Sequence, residues 1–168
     1  DMDDATRGRL IGQARAIRGE LYLDLIRMYG NILLDTTPTT PENVFDSVAY
    51  VPAAKADVYA LIDSDLDYAI ENLPWSVSPG RYGKGVVHHL RGKSAMWQGK
   101  WAEAAANFDA IVENGTHYLL PNIAEVFGQN VNHAEALLVY QRDEVLGGND
   151  GLAGGGGTWI GSVFNNRS

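Results

Sequence analysis

Apolar residues recur at steps of three and four in four stretches of the chain, the spacing that gathers them on one face of a helix. Leu10, Ala14, Ile17, Leu21, Leu25 and Met28 make the first stripe, and Gly30 supplies its stop. Tyr59, Ile62, Leu66, Ala69 and Leu73 make the second, which Pro74 ends. A third, over roughly 85–98, carries Val86, Val87, Leu90 and Trp97 and closes at Gly99. The fourth sets Trp101, Ala104, Ala105, Phe108, Ile111 and Val112 on one face, with Gly115 after it. This pattern predicts four helices, with Trp97 and Trp101 in the core. Only Gly99 and Lys100 separate the last two, which forces an antiparallel hairpin.

Between these stripes the pattern fails in informative ways. The stretch NILLDTTPTTPENVFDSVAYVP, 31–52, is held extended by its Thr-Pro pairs, and Thr40-Pro41-Glu42 can cap one short turn. PWSVSPGRYGKG, 74–85, reads as loop from its Pro and Gly content. Tyr118, Leu119 and Leu120 read as extended, 122–128 as a short helical turn, and ALLVYQ, 136–141, as strand-like. From Gly147 periodicity is lost, and 147–168 is expected to be a glycine-rich loop region.

Composition narrows the classes of function. The 168 residues are 45% hydrophobic, enough for one domain with a core. Thirteen Lys and Arg against 21 Asp and Glu give a formal charge of −8, which argues against nucleic acid, whose binding needs a basic field. Without cysteine there is no disulfide framework, zinc-thiolate site or thiol nucleophile. No apolar run approaches the roughly 18–20 residues that span a bilayer.

The 85–114 hairpin carries much of a tetratricopeptide pattern, with small Gly92 in its first helix, Gly and an aromatic at the turn, and Ala and Phe in its second. Four stretches in order resemble the SusD/RagB family of surface glycan-binding lipoproteins of Bacteroidetes. QARAIRGELYLDLIRMYGNILL, 13–34, is similar to that family's EARFLRALYYFDLVRLYGDVPL run, and ADVYALIDSDLDYAIENLP, 56–74, to its next helix. GRYGKGVVHHLRGKSAMWQGKWAEAAANFDAIVENGTHYLL, 80–120, resembles its helical hairpin, and AEALLVYQRD, 134–143, its SEEVIFEIQ strand. Leu33 departs from the family's proline, and His88, His89 and Arg91 interrupt the third helix.

The resemblance implies a mainly α fold of tetratricopeptide-like helical pairs with long loops and little β structure, residues 1–168 forming one SusD-like helical domain from the interior of a longer protein. It further implies noncatalytic capture of an oligosaccharide at the extracellular face of the outer membrane. A SusC-like TonB-dependent transporter would be the partner, and a lipid anchor outside this chain would hold the protein to the membrane. The alternative is a tetratricopeptide-like scaffold for protein interaction.

Sugar rings are recognised by flat aromatic faces and a few placed polar groups. Trp75, just past a helix end, could stack on sugar or cover that end. Trp159 lies beyond any helical pattern near Asn149, Asp150, Asn165, Asn166 and Arg167, and Trp159, Trp75, Asn149 and Asp150 are the candidate glycan contacts. No cofactor, metal site or catalytic residue is expected. Adjacent His88 and His89 diverge on a helix and cannot clasp one ion, and His117 and His133 are isolated. Asp63, Asp65 and Asp67 mimic the start of a calcium loop, lack its glycine, and read as a solvated helix face. Neither GxSxG, GxGxxG nor a P-loop is present in a suitable context.

Overall fold

The computed structural model describes residues 2–45, 51–127 and 132–140. They form α1 (Asp4–Tyr29), α2 (Lys55–Asn72), α3 (Lys84–Trp97), α4 (Trp101–Asn114) and the single turn α5 (Ile123–Val126). No strand occurs among the described residues, and the mainly α expectation holds. Residues 136–140 form no regular element, and Tyr118 N–H donates to Ala134 O at 3.3 Å. Each helix packs on the next in sequence, α1 on α2, α2 on α3 and α3 on α4.

α1 begins earlier than its stripe suggests, because Asp3 caps it by accepting the Thr6 N–H at 2.8 Å. It also buries the opposite face from the one expected. Leu10, Ile17, Leu21, Leu25 and Met28 are exposed, while Gly8, Gly12, Ala16, Gly19, Leu23 and Ile26 are buried. Close approach explains the choice. A Cβ on Gly12 would lie 3.1 Å from Leu73 Cδ2, and one on Gly19 would lie 3.1 Å from Leu66 Cδ2. Small residues let the leucines of α2 rest on the α1 backbone, and dispersion over that contact replaces large side chains of α1.

The α2 stripe sits as expected, with Ile62, Leu66, Ala69 and Leu73 buried and Tyr59 packed at the margin. Of the three aspartates read as a solvated face, Asp67 is exposed as expected, while Asp63 and Asp65 are drawn inward. Asp65, 1% exposed, accepts both Arg18 Nε at 2.6 Å and Arg18 Nη2 at 2.8 Å. A buried carboxylate needs such pairing, and the fork of a guanidinium supplies it. The Asp65 bond in turn holds the Arg18 guanidinium above its ordinary pKa. Asp63 accepts Ser94 Oγ at 2.6 Å and Gln98 Nε2 at 3.0 Å.

Arg91 fastens three helices together. Its guanidinium meets Asp67 at 2.9 Å and Asp63 at 3.2 Å on α2, and Glu103 on α4. Burial works against the charge, yet the three carboxylates hold it above the ordinary arginine value. α4 touches α3 alone, so of its stripe only Ala104 is buried. Gly92 admits Phe108, whose Cε1 would lie 2.5 Å from a Cβ there. Trp97 and Trp101 are 57% and 66% exposed, against the expectation that both are core. Both rings stay exposed at the hairpin turn, where α2 reaches only as far as Asp63, which bonds Gln98 and Lys100 between them.

Candidate functional site

The loop between α2 and α3 is built by its own sequence. In Ser78-Pro79-Gly80-Arg81, Arg81 N–H donates to Ser78 O at 3.2 Å and Gly80 has φ 78°. Proline then glycine in the left-handed region is the signature of a type II turn. At the base, Lys84 N–H donates to Pro74 O at 2.9 Å. A Cβ on Gly83 would stand 2.9 Å from the Trp75 carbonyl oxygen, so only glycine lets the loop close.

α1 holds this loop from below. Gln13 Nε2 donates to Tyr82 O at 2.6 Å, and Tyr82 N–H donates to Gln13 Oε1 at 3.0 Å. The buried Tyr82 hydroxyl donates to Glu20, and burial followed by that bond raises the phenol far above its ordinary pKa. Tyr82 therefore stays a neutral donor at any physiological pH.

Above this base Trp75 is half-buried and lies on His88, their ring centroids 5.3 Å apart and their planes 15° from parallel. His88 is itself held. Asn107 Nδ2 donates to Glu103 O at 2.9 Å, which turns its Oδ1 toward His88 Nδ1, 2.9 Å away. His88 Nδ1 is accordingly the donor of that pair. A chain of contacts thus runs from the α4 backbone through Asn107 and His88 to the Trp75 ring.

Trp75 lines a cleft of about 240 Å³ between this loop and residues 132–139. Ser76, Arg81, His117, His133 and Leu137 also face it. Arg81 makes no ion pair among the described residues. His133 Nδ1 is buried without a hydrogen-bond partner among the described residues. His117 Nδ1 lies 3.2 Å from Ala134 O, which ties the two walls together. His117 is packed closely on α3, since a Cβ on Gly85 would stand 2.8 Å from His117 Cδ2.

Of the residues expected to contact sugar, Trp75 is the one whose surroundings are described. Trp159, Asn149 and Asp150, with the whole 147–168 region, lie outside the described residues. Among the described residues no three His, Asp or Glu stand close enough to hold a metal ion. His88 and His89 spend their rings on Trp75 and Phe108. Sequence reasoning missed Arg81, His133 and the His88 platform. Their one legible trace was the turn chemistry of Ser78-Pro79-Gly80, because the contacts themselves join residues remote in sequence.

No family model matches the chain. A SusD-like protein of Bacteroides ovatus is 22% identical over 152 residues, spanning 83% of this chain and 27% of that protein. A solved laminarin-binding SusD-like protein is 34% identical, with a TM-score of 0.71 over 82% of this chain and 31% of its own. A solved structure with xylogluco-oligosaccharide matches in fold, at 22% identity and a TM-score of 0.75 over 86% of this chain and 31% of its own. The chain spans about a third or less of the length of each.

Proposed function

This chain is SusD-like in sequence and fold, and on that premise we propose that the protein it belongs to binds oligosaccharide without cleaving it. Binding takes place at the extracellular face of the outer membrane, and the glycan is passed to a SusC-like TonB-dependent transporter. The observation that carries this reading is the 34% identity to a laminarin-binding SusD-like protein across 82% of the chain. The helical rows serve as scaffold, and the loops they hold up make the contacts. Trp75 contributes one of these, and Trp159, Asn149 and Asp150 contribute others.

Calorimetric titration with laminari- and xylogluco-oligosaccharides tests it, run beside an assay for newly released reducing ends. Saturable heat with unchanged ligand is the expected result. The absence of heat across the panel, or the appearance of cleaved sugar, contradicts it.

A second reading, a tetratricopeptide-like scaffold for protein contacts, draws on the bare stripe of α1. Leu10, Ile17, Leu21, Leu25 and Met28 form a continuous exposed apolar row, the kind of surface that marks protein contact. That reading predicts no heat with any glycan.

A further inference from the structure

From the geometry we infer that the cleft beside Trp75 is a subsite for a single pyranose ring, a chain end or a one-residue branch. The inference rests on the glycan-binding reading and adds where and how one sugar is held. Three independent features converge there.

The first is size. About 240 Å³ lies below the roughly 300–1,000 Å³ of pockets that take drug-sized ligands, so the cleft accepts one ring rather than a run of them. The second is the platform. Stacking on His88, which Asn107 fixes in turn, holds the indole in place before any ligand arrives. A preorganised aromatic loses little freedom on binding, and the C–H face of a pyranose is its natural partner.

The third is the polar wall. His133 lines it through its ring, whose Nδ1 is closed off from the cleft. Arg81, free of ion pairs among the described residues, offers the planar fork that spans two adjacent hydroxyls. Ser76 adds a hydroxyl at the edge. An anion would use Arg81 but leave the indole without a purpose, whereas a sugar ring uses all three groups.

The test is calorimetric titration of the full chain with laminarihexaose and a xylogluco-oligosaccharide, comparing wild type with Trp75→Ala, Trp75→Phe and Arg81→Ala. Trp75→Ala is expected to weaken binding about tenfold, the equivalent of one stacked ring. Trp75→Phe should keep affinity within about threefold, and Arg81→Ala should weaken it about three- to tenfold. Arg81 is exposed, so its variant folds and reports even if Trp75→Ala does not. If wild type binds and Trp75→Ala and Arg81→Ala bind equally well, the subsite is wrong and the glycan-binding reading stands. If wild type binds neither sugar, both fall.

Discussion

The two ends of α3 carry the same kinds of residue and treat them differently. At its start, Trp75 rests on His88, Gly83 is jammed against the Trp75 carbonyl, and Gln13 brackets Tyr82 from 69 residues away. At its finish, Trp97 and Trp101 flank a glycine turn where an added Cβ would meet nothing within 4 Å. Arg27 lies 5.4 Å from the Trp97 ring, a single cation–π contact at an exposed site. Both ends are aromatic and glycine-rich. Long-range bonds reach both ends, since Asp63 holds Ser94 and Gln98 at the finish; what separates them is the second ring, His88, laid against Trp75, which makes that aromatic a fixed platform rather than a side chain at the surface.

The largest effect should come from the middle of α3, where both ends share a dependence. Arg91→Ala leaves Asp63, Asp67 and Glu103 facing one another, and a loss of about 3 kcal/mol in urea unfolding is expected. Next comes the glycine pair that contrasts the ends. Gly83→Ala pushes a methyl into the Trp75 carbonyl and should cost about 2 kcal/mol. Gly99→Ala meets no atom and is strained only by its φ of +73°, so about 1 kcal/mol is expected. Equal losses in the two would mean that the loop at the start of α3 is no tighter than the turn at its end.

A smaller effect follows from His89. Burial, and then the charge of Lys93, hold its pKa below the ordinary 6.5. As pH falls through that ordinary value the unfolded chain takes up its proton first, so this contribution is present above it and lost toward the lower folded value. The urea midpoint should drop between pH 7.5 and 5.5, and drop less in His89→Leu; identical shifts in the two proteins would contradict the assignment. Smallest of all is Trp101→Ala, expected within about 0.5 kcal/mol of wild type because the ring is exposed.

The sequence displayed α2 almost completely, since Ile62, Leu66, Ala69 and Leu73 are large, periodic and buried. α1 misled because its strongest apolar stripe is not its packing face. Gly8, Gly12, Ala16 and Gly19 carry no hydrophobic signal, yet their small size is what lets α2 approach. Asp65 looked solvated because its partner Arg18 is 47 residues away. Trp97 and Trp101 had the right spacing for a core, yet both are exposed at the hairpin turn, which α1 and α2 meet through the polar ends of Arg27 and Asp63. Within the site, Trp75 was legible from its place after Pro74. His88, Arg81 and His133 were not, because nothing local in sequence announces a stacked ring or an orphaned nitrogen.

The most direct measurement is a crystal structure of the chain soaked with laminarihexaose. One well-ordered pyranose ring is expected in the cleft, its C–H face on Trp75, with hydroxyls at Arg81. A sugar ordered on Trp97 or Trp101 instead, with the Trp75 cleft holding only solvent, would contradict it.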